Sequence, residues 1–291
     1  MNDWDDYRLI LALARAGTLR AAALELGLTH TTVSRRLASI EHARGRVFEK
    51  NPNGYRATPL GTALIDVAQR IEGLTLAGAR HQKAVDQDLS GVVNLSLSEP
   101  VAQYLLLDDL FEFGKLFPQI ELRVQTSSRF VDLDRLEADV VVRGAHEPPG
   151  HLVGRRLFPN CVTYYADREY LASTPRKELR WIAPASDGYW PGWRESSPYP
   201  EAPIELVIDD ISVRHLALVA GKGLGRGACF MADPQPNLVR LSAQAPVPQQ
   251  DFWVLTHPDL KQTPRIRAVA DFITSRMKDK EALVRGDLNA N

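Results

Sequence analysis

Cysteine is nearly absent from this chain: Cys161 and Cys229 are the only two in 291 residues, and their separation excludes the close spacing of a metal-ligating motif. Two thiols so placed are expected to be buried and reduced, as in a reducing compartment. No apolar run approaches membrane-spanning length, and Asp3, Trp4, Asp5 and Asp6 stand where a secretory leader would need basic and then apolar residues. The expectation is a globular chain that stays in the cytoplasm and does not enter a membrane. The seven histidines are scattered, and no motif gathers a nucleophile, a histidine and a carboxylate, so catalysis is not expected, nor a cofactor or metal. Net charge is small as well, −1 overall, which taken alone would not suggest nucleic acid.

What is present is length for two or three domains and an uneven spread of charge. Residues 1–60 hold nine bases against six acids, a surplus of three, and the rest of the chain is net acidic. The most informative stretch lies inside that basic portion. Thr18 can cap a short helix in which Ala22, Ala23 and Leu26 are small or apolar, and Gly27 can end it. Leu28 is expected to plug the turn. Thr29 can then cap a second helix, whose Val33, Leu37 and Ile40 recur at i, i+4 and i+7 and must face inward. Its outward face holds Thr31, Arg35 and Ala38, with His30 and Ser34 beside it. Donors, acceptors and a guanidinium near the front of an exposed helix are what a DNA major groove reads. An ordinary antiparallel helix pair with a solvated outer face is the alternative.

The surroundings favour the first reading. A helix from about Asp5 to Ala16, with Tyr7, Ile10, Leu11 and Ala14 on one face, precedes the pair and stops at Gly17. After it, Val47–Lys50 and Tyr55–Thr58 read as two strands around the turn Asn51-Pro52-Asn53-Gly54, a wing on which Lys50 and Arg56 can meet phosphate or a minor groove. Ala22, Ala23, Leu26, Val33, Ser34, Arg35, Ile40, Glu41, Gly45, Phe48, Thr58 and Gly61 follow, in order, the N-terminal pattern of the LysR-type transcriptional regulators, which this chain resembles. It departs from that pattern at His30 and Thr31, where the family usually has Gln and Pro, at Arg44 for a leucine, and at Lys50 for an arginine, positions that bear on base preference. The resemblance implies DNA contact by Thr18, His30, Thr31, Ser34, Arg35, Lys50 and Arg56.

Thr58 can cap, and Pro59 open, a long helix along which Leu60, Leu64, Val67, Ile71 and Leu74 form a heptad seam, continued more weakly by Gly78, His81 and Val85. Such a seam needs a partner, and the helix is similar to the family's linker helix, which pairs two subunits. Leu89-Ser90-Gly91 then makes a hinge. Domain boundaries are accordingly expected at 1–58 for the winged helix-turn-helix, 59–88 for the linker and 89–291 for an α/β effector domain. From Val92 the pattern alternates strand and helix: Val93–Leu97, a helix to about Phe117, then Ile120–Val124, a βαβ unit with a parallel sheet. Asp139–Val142 and Leu152–Leu157 extend it. Val162–Ala166 begins a second unit, with strands near Arg180–Ile182, Ile204–Ile208 and Leu238–Leu241 and a helix near Ile211–Ala220. Phe252–Leu255 crosses back to a helix over Thr263–Met277, and the charged tail after Lys278 is expected to fray. By resemblance these are two subdomains, about 92–160 with 256–291 and about 161–255, similar to periplasmic binding proteins.

Ligands of open α/β domains sit at the carboxyl ends of strands, near helix N-termini. Ser98 and Glu99 follow the first strand, Thr126 and Ser127 the second, Arg143 the third, and these with Trp190, from the aromatic loop Ser186–Trp193, are the effector-binding candidates. Each has a structural alternative: Ser98 can merely cap its helix, Arg143 can pair with Glu99, and the loop can be a Trp cluster. The glycines from Gly221 to Gly227 follow a helix, so a phosphate loop is rejected; they end that helix and turn into a strand. The resemblance implies a regulator that binds double-stranded promoter DNA as a homodimer or homotetramer and responds to a small-molecule effector. An effector-insensitive repressor, or a small-molecule binder with a vestigial DNA domain, stands beside it.

Overall fold

The computed structural model describes residues 4–85, 88–126, 133, 137–185 and 192–287. They form two units that divide after Gln82.

In the first unit, α1 (Trp4–Ala16) carries Asp5 and Asp6 in its first turn and Arg15 in its last, the charge order that suits the helix dipole. Its inner face differs from the expected one. Leu9, Ile10, Leu11, Ala12 and Leu13 are buried, whereas Ala14 is exposed and Tyr7 half-buried. The cause is that α1 packs on both α2 (Leu19–Leu26) and α3 (His30–Arg44), which widens and rotates the apolar stripe. Thr18 caps α2 by accepting from the Ala21 amide at 3.2 Å, and Gly27 ends it at φ 65°. Leu28 does not plug the turn: its side chain is 37 % exposed, and its contribution is the backbone N–H donated to the Ala23 carbonyl at 2.9 Å, closing the helix end.

Thr29 caps α3 through the Thr32 amide, and Val33, Leu37 and Ile40 are buried as expected. Glu41, near the end of α3, accepts from the amides of Val47 and Phe48 at 3.0 and 2.9 Å. The hairpin that follows has strands β1 (Phe48–Asn51) and β2 (Gly54–Ala57), antiparallel with Glu49 opposite Arg56, and the Val47 carbonyl closes its base by accepting from the Thr58 amide at 3.0 Å. The Tyr55 amide donates to the Gly17 carbonyl at 2.8 Å, fastening the wing to the α1–α2 corner. Thr58 caps α4 (Pro59–Val85) by accepting from the Gly61 amide at 3.0 Å.

The second unit is built on one nine-stranded sheet with the path β4-β3-β5-β11-β6-β9-β7-β8 and β10 added to β6. Here β3 is Gly91–Leu97, β4 Ile120–Thr126, β5 Val140–Ala145, β6 Val153–Asp167, β7 Trp181–Ala183, β8 Ile204–Val207, β9 Leu224–Ala228, β10 Leu238–Arg240 and β11 Val247–Thr256. β3 pairs in parallel with β4 and β5, and the crossover from β3 to β4 runs through α5 (Glu99–Val101), a π turn (Ala102–Leu106) and α6 (Leu107–Leu116). The two strands expected at Leu152–Leu157 and Val162–Ala166 are one, β6. Pro159 and Pro248 lie where its pairing with β11 shifts register; proline cannot donate to the ladder, and past it β6 pairs with β9. β6 and β11 are thus the two strands shared by both subdomains.

Three further α-helices lacked a periodic signal, α7 (Arg168–Ser173), α9 (Cys229–Ala232) and the C-terminal α11 (Glu281–Arg285), while β9 is the strand into which the glycines from Gly221 to Gly227 were expected to turn. Between them, α8 (Ile211–Val219) and α10 (Pro264–Asp279) fall close to expectation. The part of the tail after Lys278 that lies within the described residues, to Asp287, does not fray: Val284 is fully buried and the Gly286 carbonyl accepts from Arg240 at 2.7 Å. One core lies under β3, β5, α6 and α10, and a second gathers Tyr164, Trp181, Trp193 and Leu224. Lys83, in the last turn of α4, is held by the buried Asp139 carboxylate at 2.6 and 2.5 Å, which also accepts from the Asn94 amide at 2.8 Å.

Candidate functional sites

The outer face of α3 is open. His30, Thr31, Arg35 and Ala38 are exposed, and Ser34 is half-buried at the edge of the helix's contact with the core. Thr31 Oγ1 lies 3.0 Å from Thr29 Oγ1, so the front of the helix presents a linked pair of hydroxyls. Lys50 and Arg56 are exposed on the wing, Arg56 sitting 3.8 Å from Glu49 across the hairpin in a pair too solvated to hold it. Thr18 is exposed, with its hydroxyl engaged in capping α2.

Along α4 the seam residues part company. Leu64, with Ile65, packs against the core of the winged unit, and Ile71 is half-buried. Leu60 and Val67 are 38 % exposed and Leu74 75 %. A helix that leaves such residues uncovered has an apolar face still to bury.

In the second unit, four of the expected ligand residues converge. Ser98, Glu99, Thr126 and Arg143 line one cleft of about 350 Å3, a size suited to a small molecule. Ser127 and Trp190 lie outside the described residues. Ser98 occupies the N-cap position of α5 without spending its side chain there, which leaves the hydroxyl to the cleft. Arg143 is 4 % exposed; it donates to Ser96 Oγ and to the Val142 carbonyl, each at 2.9 Å, and burial lowers its pKa to about 10, still charged at neutral pH. The opposite wall was missed by sequence reasoning. It brings Asp210, Ser212, Asn160, Phe230 and Phe252, from the start of α8, the middle of β6, α9 and β11. Of these only Asp210 carried a local signal, as the N-cap of α8 accepting from the Val213 amide at 2.8 Å. A second hollow of about 310 Å3 lies between α10 and the paired ends of β6 and β11, beside the solvated Arg155–Asp271 ion pair, away from the carboxyl ends of the parallel strands. No group of three or more metal-ligating side chains occurs among the described residues.

A winged helix-turn-helix with an uncovered polar reading face, followed by a sheet whose two shared strands floor a ligand-sized cleft, is the build of a ligand-responsive DNA-binding regulator. Family profiles agree along nearly the whole chain, residues 4–62 matching the bacterial regulatory helix-turn-helix protein, lysR family, and residues 86–278 the LysR substrate binding domain. The chain belongs to the LysR family of transcriptional regulators. It is 29 % identical over 160 residues to the Mau operon transcriptional activator of Paracoccus denitrificans, a match covering 53 % of this chain and 55 % of that protein. Against the regulator CrgA of Neisseria meningitidis serogroup C it is 23 % identical over 289 residues, covering 94 % of this chain and 96 % of the relative. A solved structure of CrgA from Neisseria meningitidis has the same fold, with a TM-score of 0.57 at 20 % identity over 95 % of this chain and 99 % of that one.

Proposed function

We propose that this protein controls transcription from the cytoplasm, α3 reading promoter DNA in the major groove while Lys50 and Arg56 on the wing meet the backbone. In this reading residues 1–58 bind DNA, 59–88 link and pair two subunits, and 89–291 receive an effector at Ser98, Glu99, Thr126 and Arg143. The absence of a membrane-crossing helix among the described residues is compatible with that location. The subunits join as a homodimer or homotetramer through the uncovered side of α4. The apolar outer edges of the sheet supply further surface: Phe111 and Val124 at the β4 end are 70 % and 41 % exposed, Leu206 and Leu216 at the β8 end 54 % and 59 %.

The observation that carries the reading is the exposed Thr31–Arg35 face on the second helix of the pair, in the part of the chain that holds the basic surplus. Arg35→Ala removes one guanidinium from that face and touches no core residue, so the fold should persist while specific affinity falls. A base contact of about 1–3 kcal/mol predicts a loss of roughly fivefold to 150-fold on the intergenic DNA upstream of its own gene, measured by fluorescence anisotropy at fixed salt. Equal affinity in parent and variant would place the reading face elsewhere.

A further inference from the structure

The cleft also carries information about the chemistry of its ligand, on the reading that it is the effector site. Two carboxylates line it, one from each subdomain: Glu99 at the β3–α5 turn and Asp210 at the turn from β8 into α8, both exposed. Arg143 is the one positively charged residue among the described lining residues, and it is drawn back, with both Nη atoms donated to Ser96 and Val142. Arg214, on the first turns of α8, spends Nη1 on the carbonyls of Ile208 and Asp209, and its charge acts on Asp210, whose Oδ1 also caps α8 by accepting from the Val213 amide, so Glu99 is the principal carboxylate offered to a ligand. Deeper in, the Ser212 hydroxyl belongs to a side chain 7 % exposed, and neither it nor the buried Asn160 Oδ1 has a hydrogen-bond partner among the described residues. A buried polar atom left unpaired is costly, and one that lines a cleft is satisfied when a ligand supplies the missing group. The floor is aromatic, with Phe230 and Phe252 3 % and 4 % exposed and set edge to face at 6.2 Å.

Carboxylates, an amide oxygen and a hydroxyl able to accept, and two phenyl rings around one cavity are complementary to an ammonium group, which donates three hydrogen bonds, carries the opposite charge and is attracted to aromatic rings. An organic anion would meet the reverse: two repelling carboxylates, and a guanidinium already engaged with Ser96 and Val142. We infer that the cleft binds a small molecule bearing a protonated amine, with Glu99 and Asp210 holding the charge and Ser212 and Asn160 the inner polar contacts. The amine can belong to a simple cation or to a zwitterion such as an amino acid; the ammonium is what both share.

The test uses the full-length chain and shape-matched probes of opposite charge: benzylamine against benzoate, cyclohexylamine against cyclohexanecarboxylate, 1,4-diaminobutane against succinate, with L-phenylalanine carrying both groups. Thermal shift and calorimetry should show binding by at least one amine or by the amino acid, and none by the matching carboxylates. Binding by the amino acid alone would identify a zwitterion site, and binding by the simple amines a cation site. Glu99→Gln, which keeps shape and removes charge, should weaken the amine roughly tenfold or more, and Ser212→Ala, a smaller change inside the cleft, should weaken it as well. Three results would overturn the inference: carboxylates binding as well as their amine twins, no amine or amino acid binding at tens of millimolar, or amine affinity unchanged in both variants. A carboxylate whose binding is lost in Ser98→Ala would refute the amine while leaving the cleft a ligand site. An amine that binds the cleft yet leaves promoter affinity unaltered would count against the regulatory reading instead.

Discussion

Single side chains in this protein show how burial sets chemistry. His215, on α8, is 4 % exposed, neither ring nitrogen has a hydrogen-bond partner among the described residues, and the Tyr104 ring lies edge-on to it at 5.2 Å. Burial without a partner disfavours the imidazolium, so its pKa lies below the ordinary value of about 6.5. Above that value neither folded nor unfolded chain carries the proton and nothing is lost. As pH falls through it the unfolded chain takes up the proton first, so stability drops until the folded pKa is reached. Acidifying from neutral to about pH 5 should therefore destabilise the second unit, and His215→Phe should reduce that drop in urea unfolding at the two pH values. An identical pH dependence in parent and variant would remove His215 from the account. The cysteines follow the same logic. Cys161 and Cys229 flank the Val162–Ala228 pair of β6 and β9, both are buried, and burial raises the pKa of each, that of Cys229 to about 12. Protonated, enclosed thiols match the structural role expected of them, a role legible in the sequence because two cysteines without a metal spacing have few others.

At the scale of elements, α4 shows where one glycine is required and another is not. A Cβ on Gly61 would lie 2.1 Å from the Val47 carbonyl oxygen, a backbone atom that also accepts from the Thr58 amide and cannot step aside without opening the hairpin base. Gly73, farther along the same helix, has nothing within 4 Å. Gly61→Ala should therefore lower the stability of the winged unit by about 1–3 kcal/mol through overpacking. Gly73→Ala should raise it by up to about 1 kcal/mol by restoring helix propensity. Differential calorimetry of the two variants reads both; a stable Gly61→Ala protein would mean that α4 does not depend on this close approach. The caps at Thr18, Thr29 and Thr58 were readable in advance because they are local, each meeting an amide three residues on, and Asp210, which was not read as a cap, does the same for α8. The inner face of α1 was misplaced because its stripe is set by two partners, α2 and α3, and a periodicity drawn for one partner includes Ala14 where Leu9 and Leu13 belong.

For the whole molecule, the uncovered face of α4 predicts association. Leu64 is committed to the winged core, so the test falls on positions that are not: Val67→Asp together with Leu74→Asp places two charges on the exposed part of the seam. Sedimentation should show a lighter species than the parent, and promoter footprints should shrink toward a half-site. An unchanged oligomer would put the joint at the apolar edges of the sheet.

What this sequence determined by itself is everything that depends on neighbours within a few residues: the capped helix pair, the outward Thr31–Arg35 face, the wing turn, the long helix, and the strand ends that bear Ser98, Thr126 and Arg143. Those features follow from capping chemistry and hydrophobic period, which act over one or two turns of chain. The tertiary structure alone decided that β6 runs unbroken past Pro159, that α11 docks under Arg240, and that Asp210, Ser212, Asn160 and two phenylalanines close the cleft opposite Glu99. Glu99 and Asp210 face one cavity because β11 pairs with β5 on one side and β6 on the other, while β6 carries β9 and β10 of the second subdomain, and register between strands so distant in sequence is fixed by hydrogen bonding and burial, which leave no periodic trace in the intervening residues.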